Sequence, residues 1–188
     1  MSLNHGHIDI VDANGESSMD TVSGALTTVG YEHHENHEGN AYLGIHSLLR
    51  DDTEFIEVRI QTPNTTKWGH MVVIMKAALA ATVELWEDTT KTDIPGQRFG
   101  MNKNRNSPNG TGLLICHTPG GTEVTPPDIQ EYIGAATTGG RSDTGGSSGG
   151  RGEFILKQNS AYLLKMTSRV NSNALSIVLD WYEHQSRA

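Results

Sequence analysis

The sequence has a single cysteine, few aromatic residues and no long apolar run. Cys116 cannot form a disulfide within the chain, and its place in the apolar run Leu113–Cys116 predicts a small buried hydrophobic residue. No apolar run approaches the roughly 20 residues that cross a bilayer as a helix, so we expect no membrane partner. The N-terminus also lacks the basic start and apolar stretch of a secretory signal, which predicts a protein made in a cytoplasm.

Basic residues are missing from the first 40 positions, which hold seven acids and no Lys or Arg. The rest of the chain carries 14 basic and 15 acidic residues and is nearly neutral. Nucleic-acid binders present clustered Lys and Arg to phosphate, so this distribution argues against a nucleic-acid partner. An acidic segment favours contact with a basic protein surface. The acids predicted to make that contact are Asp9, Asp12, Glu16, Asp20, Glu32, Glu35 and Glu38.

Large apolar side chains are scarce over residues 1–40, so this segment buries too little to offset its ordering entropy alone. We therefore predict an acidic, His-rich, extended N-terminal arm. His33 and His37 are four residues apart, which on a helix would place two imidazoles on one face. Because the segment shows no apolar helical face, a solvated polar arm without a metal is the favoured interpretation.

From Ala41 onward the sequence consists of short apolar or alternating segments. Phe55–Ile60 and Ala81–Trp86 alternate as half-buried strands do, and Leu175–Tyr182 ends the series. Turns rich in Pro, Gly and Asn separate about eight such segments, and no long helical period interrupts them. This pattern predicts an all-β fold, a single β-sandwich or jelly-roll-like domain over residues 41–188.

A Gly/Ser-rich stretch over residues 137–152 lies between two predicted strands. It has the composition of a flexible linker, and its position predicts a long loop within the β domain. It lacks the Lys-Ser/Thr ending and the following helix of a phosphate-binding loop. The sequence therefore predicts no nucleotide cofactor here.

No pair of nucleophile and base, no metal-ligand spacing and no carboxylate pair is set by the sequence in a way that predicts catalysis. We expect no catalytic residues, no cofactor and no enzyme activity. The polar loop that contains Asn104 and Arg105 is a candidate contact surface, because Arg forms forked hydrogen bonds to carboxylates. The same residues are also typical of a simple turn.

Five segments, in this order along the chain, resemble a family of small virion structural proteins of tailed bacteriophages. The resemblance covers about residues 60–184, and the acidic arm lies outside it. The segments are Thr62–Trp68, Val83–Glu87, Asn104–Ser107, Ile155–Leu164 with Thr167 and Ser168, and Leu179–His184.

The resemblance implies a β-sandwich or jelly roll that binds the major capsid protein and stabilises the head shell, as a decoration or cement protein. It implies a place on the capsid surface of the virion and a homo-oligomer, most often a trimer, and it carries over no catalytic residue. The alternative is a carbohydrate- or receptor-binding module in a head fibre or tail, with Trp68 or Trp86 as an exposed platform. A third hypothesis is a metal-dependent enzyme that uses the His-rich segment.

Overall fold

The computed structural model describes residues 31–134, 142–144 and 152–185. The regular structure is almost entirely β-strand, with one α-helix, α1 (Tyr31–Glu38), and one 3-10 turn at Pro95–Gln97. The strands are β1 (Ala41–Arg50), β2 (Phe55–Gln61), β3 (Lys67–Ala77), β4 (Ala81–Glu87), β5 (Met101–Asn102), β6 (Leu114–His117), β7 (Ile129–Ile133), β8 (Ser142–Thr144), β9 (Glu153–Leu156), β10 (Ala161–Ser168) and β11 (Asn173–Gln185).

Two antiparallel sheets pack face to face. The first sheet has the order β5-β1-β11-β3, with β8 and β9 both on the far edge of β3, and the second has the order β6-β2-β10-β4-β7. The pairs β1–β11, β2–β10, β3–β9 and β4–β7 are nested along the chain, and successive pairs alternate between the sheets. Such nesting is a long hairpin rolled over on itself, which is the jelly-roll topology. The prediction of an all-β sandwich or jelly roll is confirmed.

Strands β8 and β9 lie end to end along the edge of β3. The first pairs with Met75–Ala77 and the second with Gly69–Val72. The structure therefore differs from the loop predicted over residues 137–152, because residues 142–144 extend the first sheet. The loop's other residues, up to 151, lie outside the described part of the chain.

The core lies between the sheets and follows the alternation of the strands. In β11, the buried side chains Leu175, Ile177, Leu179 and Trp181 alternate with less buried neighbours over the whole strand. Burying an apolar side chain of this size contributes roughly 1.5–3 kcal/mol. Tyr42 stacks on Trp181 with ring centroids 5.5 Å apart. Because β11 is central in its sheet, its inward row anchors the sandwich.

Residues 31–38, which we predicted to be part of an extended arm, form helix α1. The helix ends in a Schellman motif: Asn40 N–H donates to the Glu35 carbonyl, and Gly39 N–H donates to the Asn36 carbonyl. Gly39 has φ +75°, and a Cβ there would lie 2.1 Å from Ser107 Oγ, so only glycine fits. Tertiary contacts at this end, rather than an apolar face, hold the helix on the body.

Candidate functional site

Two of the acids predicted to contact a partner are described with their side chains. Glu38 is exposed, but Glu35 is only 3% exposed and its carboxylate accepts a hydrogen bond from Asn40 Nδ2 at 3.2 Å. Glu35 therefore holds the turn after α1 and is not available to a partner, contrary to the prediction. The others lie outside the described side chains: Asp9, Asp12, Glu16, Asp20 and Glu32.

Helix α1 also brings potential metal ligands together, which we did not expect in an extended arm. Ligand atoms of His34, Glu35 and Glu38 lie within 4.8 Å of one another. His34 Nε2 already lies 3.2 Å from Glu38 Oε1, and Glu35 is engaged by Asn40. These polar atoms satisfy one another, so the cluster by itself does not indicate an ion.

The polar loop after β5 caps the C-terminus of α1. Asn104 Nδ2 donates to the His37 carbonyl at 2.8 Å, and Asn102 Nδ2 donates to the Gly39 carbonyl at 2.7 Å. The last carbonyls of a helix lack partners within it, so these amides satisfy groups that the helix leaves open. Asn104 thus has a structural role, while Arg105 remains exposed as a candidate contact. The sequence signal that we missed is Glu38-Gly39-Asn40, a typical helix stop.

Part of the outer face of the second sheet is covered by residues 88–94 and 118–128 of the same chain, which together form the covering segment. Its cross-strand row of Cys116, Arg59, Leu163 and Trp86 is between 0% and 9% exposed, although all four side chains point away from the sandwich core. Arg59 Nε donates to the Lys91 carbonyl at 2.8 Å, which ties the covering segment to β2. The covering segment therefore buries this row, which is not available as a binding surface.

A buried ion pair fixes the same segment. Lys91 Nζ lies 2.9 Å from Glu57 Oε2, and both side chains are less than a tenth exposed. A buried charge without its partner is strongly unfavourable, so this ion pair helps to hold the covering segment against β2.

Trp86 does not form an exposed carbohydrate platform. It is 5% exposed, and its Nε1 donates to the Thr125 carbonyl at 2.9 Å. Trp68, at the start of β3, is partly exposed and is the remaining candidate of the two. Of the two aromatic platforms proposed for the carbohydrate-binding alternative, only Trp68 remains.

Cys116 is fully buried, as predicted. Burial raises the pKa of its thiol, which disfavours the thiolate that a nucleophile requires. The adjacent His117 lies on the opposite face of β6, where its ring stacks on His46 with centroids 4.7 Å apart. The two side chains therefore do not form a catalytic pair.

Glu123 organises the covering segment through hydrogen bonds from three threonines. Its carboxylate accepts from the Thr89 hydroxyl, from Thr90 N at 3.1 Å, and from Thr125 Oγ1 at 2.8 Å and N at 3.2 Å. Burial alone would raise the pKa of Glu123, but these hydrogen bonds outweigh burial and lower that pKa to about 2.

Acid is therefore expected to lower the stability of the covering segment. The pKa of Glu123 is depressed in the folded state, so its contribution to stability is complete above its ordinary pKa of 4.5 and is lost as the pH falls towards about 2. Glu123→Gln should lower the free energy of unfolding by about 1–2 kcal/mol at neutral pH, with the difference shrinking in acid. Urea unfolding of both proteins across this range measures the effect. Glu131→Gln, at an exposed position, is the control; an equal change in both variants would contradict the role of Glu123.

An apolar row crosses the outer face of the first sheet and is not covered by any described residue of the chain. Ile45, Val178 and Ile74 form a cross-strand row over β1, β11 and β3, and Ile45 is 56% exposed. Exposed apolar side chains continue at both ends of this face, with Leu49 in β1 and Ile155 in β9. The outer face of an antiparallel sheet is ordinarily polar, and contiguous apolar residues there mark an interaction surface.

Comparison of the chain with protein-family models, curated proteins and solved structures finds no match. Within the described residues, no helix is long and apolar enough to cross a membrane.

Proposed function

We propose that this chain is a virion structural protein of a tailed bacteriophage that decorates the head shell and stabilises it. The observation that carries the proposal is the unequal treatment of the two outer faces of the jelly roll. One face is partly covered by residues 88–94 and 118–128, whereas the other presents an apolar row centred on Val178. A protein whose function is to pack against other proteins needs such a face.

The fold supports this proposal because jelly rolls are a recurrent architecture of viral capsid proteins. Jelly rolls also occur in lectins, but the burial of Trp86 disfavours that alternative. Cys116 and the inward-facing His117 likewise form no nucleophile and base pair. The described residues thus offer binding surfaces, and the thiol and imidazole that are adjacent in sequence are not assembled for catalysis.

Two of the five segments behind the phage resemblance meet at one end of the sandwich. The Thr62 hydroxyl donates to the Lys157 carbonyl at 2.6 Å, and Asn159 N–H donates to the Pro63 carbonyl at 3.2 Å. Gln185, next to the last segment, donates from Nε2 to Thr66 Oγ1 at 3.1 Å. These contacts close the end of the sandwich. The residues that carry the resemblance therefore serve the fold of this chain more directly than a binding site.

Within the proposed function the open face of the first sheet and the acidic N-terminal residues have separate roles. The apolar row of Ile45, Val178 and Ile74 suits self-association into a homo-oligomer, which the phage resemblance implies to be a trimer. The acidic residues of the N-terminal segment bind basic residues of the major capsid protein. Since α1 is packed on the body, residues 1–30 are the part assigned to the shell.

Neutralising the N-terminal acids is expected to weaken attachment to the shell. A variant with Asp9→Asn, Asp12→Asn, Glu16→Gln and Asp20→Asn should cosediment poorly with capsid shells. The wild-type protein should bind at low salt and dissociate as salt rises, because exposed charges are screened over about 8 Å at physiological ionic strength. Cosedimentation across a salt series measures both effects.

The control variant neutralises two exposed acids of the body, Asp52→Asn and Glu131→Gln, and should bind as the wild type does. Failure of the wild-type protein to bind shells at any salt concentration would overturn the proposed function. Specific binding on a glycan array, abolished by Trp68→Ala, would favour the carbohydrate-binding alternative instead.

A further inference from the structure

A cluster of polar aromatic side chains lies on the outer face of the first sheet, near the end of β11. The strand register places Tyr182 beside His70, and His184 one step further along β11. Glu153, in β9, completes the group from the other side of β3. His70 Nδ1 lies 2.5 Å from Glu153 Oε1, the Tyr182 hydroxyl lies 2.7 Å from the same oxygen, and the two Nε2 atoms of His70 and His184 lie 2.7 Å apart.

The partners of the two Nδ1 atoms determine where the ring protons lie. A carboxylate and a carbonyl accept hydrogen bonds and do not donate them. His70 Nδ1 therefore donates to Glu153, and His184 Nδ1 donates to the Gln185 carbonyl at 2.9 Å. With both protons on Nδ1, the two neutral rings direct their Nε2 lone pairs at each other. Only a cation between these nitrogens, either a proton or a metal ion, turns this repulsion into attraction.

We propose that His70 and His184 bind one divalent transition-metal ion of the zinc class through their Nε2 atoms. Imidazole is a ligand that suits zinc, copper and nickel. A tetrahedral ion with bonds of about 2.0–2.1 Å requires the two nitrogens to be about 3.3 Å apart, which small rotations of the rings provide. The remaining coordination positions are filled by water or by a group from a bound partner.

Glu153 and Tyr182 act as positioning residues for this site. Histidines that bind metals ordinarily donate their other ring N–H to a carboxylate or a carbonyl, which fixes the tautomer and the orientation of the ring. Glu153 does so for His70, and the Tyr182 hydroxyl in turn holds Glu153. The His70 side chain is 15% exposed and that of Glu153 is 26% exposed, so an ion reaches the site from solvent.

Helix α1 contains a second histidine pair that serves as the matched comparison. His33 Nε2 and His37 Nε2 lie 2.9 Å apart. Among the described residues, no acceptor engages the Nδ1 atom of either ring, so the two rings can take complementary tautomers and bond each other without a cation. The two nitrogens are similarly close in both pairs, but among the described residues only the His70–His184 pair has acceptors that fix its tautomers.

The test is a calorimetric titration of the purified, chelator-treated full chain with ZnCl₂ alone. We expect one ion per chain, with binding lost in His70→Gln and in His184→Gln, and retained in the double control His33→Gln, His37→Gln. Glu153→Gln should weaken binding by about 10- to 100-fold. All substitutions lie on outer surfaces, so each variant should melt at the temperature of the wild type without metal.

Nitrogen NMR of the ring atoms provides a second readout that does not depend on affinity. In the metal-free protein the Nδ1 atoms of His70 and His184 should be protonated, and zinc should shift their Nε2 resonances. Zinc binding that is unchanged in both His70→Gln and His184→Gln would overturn the proposal. Binding lost only in the His33/His37 variant would do the same and would place the ion on α1. The proposal does not depend on attachment to a phage shell, so either can fail alone.

Discussion

Replacement of Glu183 by alanine is expected to lower the free energy of unfolding by about 3–5 kcal/mol. Glu183 is 2% exposed, and its carboxylate accepts hydrogen bonds from Gly112 N at 2.8 Å, Leu113 N at 3.3 Å, Trp181 Nε1 at 3.2 Å and the Thr111 hydroxyl. Alanine removes a buried acceptor shared by four donors and leaves Leu113 N and Trp181 Nε1 with Thr111 Oγ1 as their remaining acceptor. A buried donor whose acceptor is removed costs about 1–3 kcal/mol. Urea denaturation at neutral pH measures the loss.

Two further variants separate this effect from a general loss of packing. Glu183→Gln keeps the size and one acceptor oxygen, so it should lose less, about 1–2 kcal/mol. Glu131→Ala, at an exposed position of β7, should stay within about 0.5 kcal/mol of the wild type. If Glu183→Ala were as stable as Glu131→Ala, the hydrogen bonds of the Glu183 carboxylate would not hold residues 111–113 on β11.

Tyr42 reports on the same charge by spectroscopy. Burial and then the nearby charge of Glu183 raise the pKa of Tyr42 to about 12. In Glu183→Gln the charge is gone and burial alone remains, so the pKa of Tyr42 should fall while staying above its ordinary value of 10.0. An ultraviolet titration of the tyrosines shows this shift directly, provided that the variant is still folded at high pH.

A pair of lysines on the open face of the first sheet is expected to convert the proposed oligomer to a monomer. Ile45→Lys with Val178→Lys places two positive charges in the centre of the apolar row. Ile45 is already more than half exposed, so the monomer should keep its fold while the association between chains is lost. Light scattering of the wild-type and variant proteins measures the mass of the particle in solution.

The control for this experiment is Val124→Lys, because Val124 is an isolated apolar residue, 78% exposed, in the segment that covers the second sheet. That variant should keep the oligomeric state of the wild type. An oligomer that survives both lysines on the first sheet would show that the chains associate through another surface. A monomeric wild-type protein would contradict self-association in solution outright.

Local sequence patterns predicted much of the fold because the information needed was local. The segment Leu175–Tyr182 was predicted as a strand and lies within β11, whose buried side chains follow the period of two in a strand. The apolar run Leu113–Cys116 likewise predicted a buried thiol, and Cys116 is buried in the structure. Turn chemistry separated the strands for the same reason.

Helix α1 was missed because its own residues do not stabilise it. It has no apolar face, and its C-terminus is capped by Asn102 and Asn104, more than 60 residues away along the chain. The covering segment over the second sheet could not be predicted from the sequence for a similar reason, because its contacts are between distant residues. Trp86 is buried by Thr125 and its neighbours, and no period in β4 distinguishes a strand with one covered face from a strand with two.

The sequence by itself determined that this protein is a β-sandwich with an acidic N-terminus, because strand alternation and charge are properties of adjacent residues. Only the tertiary structure decided which outer face is partly covered, which acids are buried and which histidines meet. His70 and His184 are 114 residues apart and touch because the register between β3 and β11 places them there. That register is fixed by burial of one face of each strand against the whole opposite sheet. Contacts of this kind belong to the packed molecule and to no segment of it.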